Sequence, residues 1–218
     1  MSPEDLTTLV LCAGRGTRLA GHIPDGVNKC VADINGRPFL DLLLEKMESW
    51  GLTDFLISIG HASESIFKAR TRALRFCGDD EDGRAEGTVK AVLNAIGDGC
   101  DISDPFFVVN GDTWIDFDQR RWEEIRELCL WFWRQNGGPV VMNDKDGTHT
   151  GLKLLGHSHF LDLARFAESG GTDLEAALRI ACDPPATELR LSTDLFWIDI
   201  GTPEKLEAFR RMGQIGHV

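Results

Sequence analysis

Thr8-Leu9-Val10-Leu11-Cys12-Ala13-Gly14-Arg15-Gly16-Thr17-Arg18-Leu19 decides how the rest of the chain is read. Thr8 to Ala13 is a continuous apolar run that stops at glycines. A strand covered on both faces has no polar side to alternate with, so the run predicts a buried parallel strand. Ligands of open α/β sheets bind at the carboxyl ends of strands, and glycines there let backbone N–H groups come close to phosphate oxygens. The spacing is neither a Walker A motif nor a full GxGxxG, and a tight turn accounts for a lone GxG as well. Arg15 and Arg18 beside the loop, with Lys29 ahead of the short strand Cys30 to Ile34, gather three cations that can grip a triphosphate.

Outward from this loop, strand and helix patterns alternate. Pro38 to Trp50 carries Phe39, Leu42, Leu43, Met47 and Trp50 at helical spacing, with proline at the start and Gly51 past the end. Phe55 to Ile59 reads as a strand, Ser63 to Leu74 and Thr88 to Ile96 as helices, and Phe106 to Val109 as a strand. Trp122, Ile125, Leu128, Cys129 and Phe132 make an apolar helix face. Strands follow at Pro139 to Asn143 and Gly151 to Leu155, then helices at Phe160 to Glu168 and Asp173 to Cys182. A strand at Phe196 to Ile200 and a helix from Pro203 close the chain. This order predicts an α/β fold: one Rossmann-like domain over residues 1–218, a three-layer αβα sandwich around a mainly parallel mixed sheet.

The chain has 218 residues, 42% of them hydrophobic, enough for one sizeable core. Its formal net charge of −12 argues against a nucleic-acid polymer as partner, because affinity for a phosphate backbone needs clustered Lys and Arg. No stretch has the length of a membrane span, and Met1 to Leu11 has no signal-peptide pattern, so a soluble cytoplasmic protein without membrane contact is expected. Cys12, Cys30, Cys77, Cys100, Cys129 and Cys182 are scattered without a CxxC pairing and read as reduced core thiols.

Two aspartates stand out. Val108-Val109-Asn110-Gly111-Asp112 ends a buried strand in a glycine and a carboxylate, which sets Asp112 at the same sheet edge as the glycine loop. An Asx turn would explain it as well. Asp199 lies in the apolar strand of Phe196-Trp197-Ile198-Asp199-Ile200-Gly201-Thr202-Pro203, where an unpaired charge is costly. A hard cation with oxygen ligands would compensate it. His157 and His159 read as surface polar residues, and Trp131-Phe132-Trp133 as core or a subunit contact, which leaves a homodimer open.

The run Leu11 to Leu19, then Lys29, then Ile34-Asn35-Gly36-Arg37-Pro38-Phe39 resembles the signature region of the sugar-phosphate nucleotidylyltransferases. Their pattern is L-A-[AG]-G-x-G-T-R-L, then K-P, then a G-[KR]-P-[FML] turn. Cys30 stands where the family has proline. The compact form is most similar to the heptose 1-phosphate guanylyltransferase branch. The resemblance implies the nucleotide-diphospho-sugar transferase fold, with a nucleotide-binding part about 1–118 and a sugar-phosphate part about 119–218.

By the same resemblance, Leu11, Cys12, Ala13, Gly14, Arg15, Gly16 and Thr17 wrap the nucleotide, together with Glu86, Gly87, Thr88 and Gly111. Arg18 and Lys29 contact the phosphates, and Asp112 and Asp199 hold Mg²⁺. Gly151 and Glu175 are similar to positions beside the sugar; the family's Glu-Lys-Pro lysine has no counterpart, and Lys153 or Lys145 is the candidate to replace it on the sugar phosphate. The implied substrates are a nucleoside triphosphate and a sugar 1-phosphate, and the implied activity is a GDP-heptose or GDP-mannose type guanylyltransferase of polysaccharide precursor synthesis. Other nucleobases, other acceptors and a non-catalytic regulatory subunit remain alternatives. A glycosyltransferase would need a D-x-D metal motif, for which Asp80 to Asp82, Asp116 to Asp118 and Asp144 to Asp146 are the candidates.

Overall fold

The computed structural model describes residues 6–69, 73–78, 87–97, 99–191 and 195–214. The opening run forms strand β1 (Thr8–Leu11), every residue of it buried. After the glycine loop come a 3₁₀ turn at Lys29–Val31, the two-residue strands β2 (Asp33–Ile34) and β3 (Arg37–Pro38), and helix α1 (Phe39–Ser49). The expected strand Cys30 to Ile34 is therefore a 3₁₀ turn for its first half, because Asn28 caps it by accepting from the Cys30 amide. Strand β4 (Phe55–Ile59), helix α2 (Ser63–Ala69), strand β5 (Arg75–Gly78), helix α3 (Thr88–Gly97) and strand β6 (Phe106–Asn110) complete the first half. The helix expected to reach Leu74 closes at Ala69 within the described residues.

The second half contains β7 (Thr113–Ile115), α4 (Gln119–Asn136), β8 (Val140–Asn143), β9 (His149–Leu155), α5 (Phe160–Glu168), α6 (Leu174–Ile180), β10 (Thr187–Arg190), β11 (Trp197–Asp199) and α7 (Pro203–Gln214). The main sheet has the order β10-β8-β9-β6-β1-β4-β5. Only β9 runs against its neighbours in it. The chain leaves β1 for β4 on one side and returns to β6 on the other, so the crevice between the ends of β1 and β6 is a topological switch point.

Two apolar layers flank the sheet. One contains α1, α4 and α7 around Phe39, Trp122, Phe107 and Phe209, all fully buried. The other packs α3, α5 and α6 against Leu9, Val108 and Leu155. Each such buried side chain contributes roughly 1.5–3 kcal/mol relative to exposure. Trp50 stacks on Trp122 at 5.0 Å, and its indole N–H donates to the Phe117 carbonyl at 3.0 Å. The expected three-layer mixed sheet is what the residues build.

All six cysteines are free, five buried and Cys100 half-buried. His159, expected at the surface, is buried instead: one ring nitrogen lies 3.1 Å from the Gly137 carbonyl, where it ties β9 to the end of α4. The Trp131-Phe132-Trp133 cluster divides. Trp131 is 53% exposed beside exposed Leu128, while Phe132 and Trp133 pack on the core. No helix among the described residues is long and apolar enough to cross a membrane.

Candidate functional site

The loop after β1 and the turn after β6 meet because Gly111 donates its amide to the Leu11 carbonyl at 3.0 Å. An added Cβ at Gly111 would lie 2.5 Å from Cys12 Sγ and 3.1 Å from Cys30 Sγ, so only glycine lets β6 turn here. The same contact accounts for the departure at Cys30: its sulfur lies against this turn. A hydrogen bond with Cys30, and then burial, push the Cys12 thiol well up, so Cys12 stays protonated.

Lys29 runs beneath the glycine loop. A Cβ at Gly14 would lie 3.4 Å from Lys29 Cε, and one at Gly16, whose φ is +60°, would lie 3.1 Å from Lys29 Cβ. Glycine at these positions therefore leaves room for the lysine stem, beyond any close approach to a phosphate. The ammonium reaches Asp112 Oδ2 at 2.5 Å. Burial opposes the Lys29 charge, but Asp112 beside it more than compensates and holds the lysine above its ordinary range. Asn28, 1% exposed, anchors this turn with its amide group, donating to the carbonyls of Cys12 (2.7 Å) and His61 (2.8 Å). Its only sequence signal was its place as an N-cap before Lys29.

Asp112 and Asp199 come together through a ladder outside the main sheet. Antiparallel β7 and β11 pair Asp199 with Thr113, and the Ile200 amide donates to the Asp112 carbonyl at 2.8 Å. Lys205, one helical turn into α7, holds Asp199 Oδ2, and the Gly201 amide donates to Oδ1 at 3.2 Å. Arg18 stands on the same spot: a Cβ on Gly201 would lie 2.9 Å from its Nη2.

Two cavities open on this edge. The smaller, about 190 Å³, is lined by Leu11, Ala13, Gly14, Lys29, Gly87 and Thr88, and by Asn110 and Asp112. The larger, about 460 Å³, is lined by Arg18, Asn110, Asp112, Asp199, Gly151 and Glu175, with Thr113, Gly147, Thr148, His149, Arg179 and Trp197. They share Asn110 and Asp112. Cys12 and Gly111 are buried behind the walls, and Arg15, Gly16 and Thr17 line neither cavity. Glu86 lies outside the described residues.

Gly87 (φ +93°) is required by the fold itself, since a Cβ there would fall 2.3 Å from the Thr172 carbonyl oxygen. Thr88 Oγ1 accepts from the Leu174 amide at 2.9 Å. These contacts tie the wall of the small cavity to α6, which presents Glu175 to the large one. At Gly151 (φ +84°) an added Cβ would lie 3.2 Å from both Thr113 Oγ1 and Asn110 Nδ2, so glycine lets β9 pass here.

Lys153 is 1% exposed and lines neither cavity. It lies under the floor, 3.3 Å from Asn110 Oδ1 and 3.6 Å from Glu175 Oε1. Burial, opposed by Glu175, Asp173 and Asp112, brings its pKa down to about 8. His149 Nδ1 lies 2.8 Å from Glu175 Oε1 and also 2.8 Å from the Gly151 amide nitrogen. Burial lowers the His149 pKa and keeps the ring neutral. Burial works against the Glu175 charge too, but His149 and Lys153 outweigh it and hold the carboxylate ionised.

Sequence reasoning missed Asn28, Asn110, Thr113, His149, Arg179, Trp197 and Lys205 at this edge. Asn110 and Thr113 flank Asp112 and were within reach of its motif. The others carry no spacing signal. The D-x-D candidates have structural work instead. Asp116 pairs with Lys46 at 2.5 Å, and Asp118 caps α4. Asp144 accepts from the Thr148 amide (2.8 Å) and Trp197 Nε1 (3.1 Å). Residues 80–82 lie outside the described residues.

The aspartate pair fits a hard divalent ion. Among the described residues no group of three or more His, Cys, Asp and Glu could form an all-protein metal cage. One carboxylate shared by the two cavities and a second lining the larger one suit an ion that takes its other ligands from substrate phosphates.

Comparison with known proteins agrees with this architecture. A curated relative, D-glycero-alpha-D-manno-heptose 1-phosphate guanylyltransferase of Campylobacter jejuni, is 28% identical over 151 residues. That match spans 65% of this chain and 65% of the relative's length. The bifunctional protein GlmU of Sorangium cellulosum is 31% identical over 71 residues, 33% of this chain and 14% of that protein. Among solved structures, HddC from Yersinia pseudotuberculosis complexed with GMP-PN superposes with a TM-score of 0.70 at 21% identity, over 95% of this chain and 99% of that one. A Bacillus anthracis structure assigned as a glucose-1-phosphate thymidylyltransferase gives 0.74 at 16% identity, over 96% and 95%. At these identities the structures establish the fold. The family described as the MobA-like NTP transferase domain matches residues 8–181, and the chain belongs to it.

Proposed function

We propose that this chain transfers a nucleotidyl group from a nucleoside triphosphate to a sugar 1-phosphate and releases pyrophosphate, with GTP as donor and a heptose or mannose 1-phosphate as acceptor. The observation that carries the reading is the meeting of two cavities at Asp112, one bounded by the glycine loop and one by Glu175, Gly151 and Asp199. A transfer enzyme needs two substrates whose reacting atoms converge, and this arrangement supplies one carboxylate common to both. The guanine nucleotide and heptose follow the Campylobacter relative's name and the ligand of the Yersinia structure. We further propose a cytoplasmic reaction in surface-polysaccharide precursor synthesis.

The triphosphate would lie in the small cavity over Ala13 and Gly14, its base and ribose against Gly87 and Thr88, and its phosphates toward Lys29 and Arg18. The sugar 1-phosphate would lie in the large cavity with Glu175 on its hydroxyls. A phosphate oxygen of the acceptor attacks the α-phosphorus in line; the new P–O bond forms as the bond to the β-phosphate bridge breaks, and pyrophosphate carries away the electron pair. The nucleophile is already anionic, so no general base is needed and positioning with charge neutralisation does the catalysis.

Asp112 and Asp199 would hold Mg²⁺, which neutralises charge on the phosphates when bound. In the free protein Lys29 and Lys205 occupy the two carboxylates, and both lysines become available for phosphate oxygens once a cation takes their place. A matrix of four nucleoside triphosphates against sugar 1-phosphates, read by pyrophosphate release, tests the assignment. Release with GTP and an aldose 1-phosphate supports it, and no release from any pair defeats it.

A further inference from the structure

The proposed reaction leaves part of the large cavity without a role. Its inner end is at Asp112 and Asp199, where the reacting phosphate belongs. Its outer end is bounded by Gly147, Thr148, His149 and Arg179. Across the sheet edge the strands run β6, β9, β8, β10, with His149 of β9 opposite Asn143 of β8 and Asn143 opposite Arg190 of β10. Three strand spacings of 4.7–4.9 Å place β10 about 14 Å from β6. The backbone that carries Arg190 is thus set well apart from the strand that leads to Asp112.

Two arginines occupy that remote end. Arg179 follows Glu175 by one turn of α6, so both present to the same face. Its Nε is held at 3.1 Å by Glu188 Oε1, while Asn143 Nδ2 donates to the other oxygen of Glu188 at 3.1 Å. The guanidinium is thus fixed at one edge and left with its terminal nitrogens. Arg190 lies two residues beyond Glu188 and faces the same side of β10. A Cβ on Gly147 would be 3.6 Å from Arg190 Nη2, so the second guanidinium reaches the cavity rim. No ion pair to Arg190 exists among the described residues.

The rim is a built wall. Asp144 accepts from the amides of Asp146 and Thr148 and from Trp197 Nε1, which ties the turn before β9 to the strand carrying Asp199. Its carboxylate is held below the usual range: desolvation, the largest single effect, acts against this, and the hydrogen bonds from Thr148, Trp197, Asp146 and Gly147 together outweigh it. In a chain of net charge −12, Arg190 adds a positive charge at this rim beside the Arg179–Glu188 pair.

We propose that Arg179 and Arg190 form a receptor for a second anionic group, so that the acceptor is a sugar 1-phosphate carrying a carboxylate or a phosphate ester at the end remote from its reacting phosphate. The proposal rests on the acceptor assignment above and narrows it. Planar guanidinium groups recognise carboxylate and phosphate oxygens bidentately, and a neutral hydroxymethyl end would leave both arginines facing water.

The test compares three acceptors with GTP and Mg²⁺: mannose 1-phosphate, the corresponding uronic acid 1-phosphate and mannose 1,6-bisphosphate. Each is assayed with the wild-type protein and with an Arg179→Ala/Arg190→Ala variant. The wild type is expected to favour at least one anionic-ended acceptor over mannose 1-phosphate by about 10-fold or more in kcat/KM, on the order of what one charge-assisted contact contributes. The double variant should lose that preference while its KM for GTP stays unchanged. Raising ionic strength should shrink the preference in the wild type alone. Equal use of the three acceptors, or a preference that survives in the variant, overturns the receptor but leaves the transferase reading intact. Absence of turnover with every acceptor overturns both.

Discussion

The Ile200 amide donates to the Asp112 carbonyl at 2.8 Å, and this bond, with Asp199 opposite Thr113 in the ladder, sets two aspartates 87 residues apart at one cavity edge. Asp112→Asn and Asp199→Asn are each expected to lower kcat/KM by roughly 10³-fold, about 4 kcal/mol of transition-state stabilisation. Both should raise the Mg²⁺ concentration for half-maximal rate. Steady-state pyrophosphate release across a Mg²⁺ series measures this, and undiminished activity in either variant would remove that carboxylate from the site.

Asn28 joins the Lys29 turn to the glycine loop through hydrogen bonds to Cys12, His61 and Cys30. Asn28→Ala leaves the buried Cys12 carbonyl without its donor, at about 1–3 kcal/mol, and removes the half-buried bond to the His61 carbonyl as well. The variant should melt several degrees lower, and its KM for the triphosphate should rise because Lys29 loses its fixed position. A lower melting temperature with unchanged KM would confine Asn28 to stability.

Gly87 and Gly21 both have positive φ, but only Gly87 lies against a carbonyl. Substitution by alanine costs about 1 kcal/mol in backbone strain at either position. At Gly87 the clash with Thr172 adds roughly 1–3 kcal/mol more. Chemical denaturation should therefore separate Gly87→Ala from Gly21→Ala by that margin, and equal stabilities would show that the loop at Thr172 moves freely.

Lys153 is charged in both folded and unfolded chains below pH 8, and from about 8 to 10.5 the unfolded chain holds one more proton. Stability therefore rises with pH across that window, by up to ~3 kcal/mol from this group. Lys153→Met should flatten the rise when unfolding free energies are compared from pH 7 to 10.5. Parallel curves for the two proteins would place the lysine in a more hydrated setting.

Much of the fold was legible in the sequence because its signals are local. Phe55–Ile59 and Phe160–Glu168 have the boundaries that their apolar periods predict. The strands β5, with only Cys77 buried, and β10, alternating Thr187, Glu188, Leu189 and Arg190, were not legible. Edge strands that bury one face thinly carry too few apolar residues to register as strands. His159 misled for the opposite reason: a polar ring can be buried when carbonyls such as Gly137's receive it.

By itself the sequence determined the glycine loop, the strand-end positions of Asp112 and Asp199, and the layered α/β class, since each follows from residues within a few positions of one another. Only the tertiary structure decided that the two aspartates share a ladder, that Lys153 lies beneath the cavity floor, and that Arg179 and Arg190 stand at its far rim. Lateral neighbours in a sheet are set by strand order, and strand order brings together residues that no sequence spacing relates.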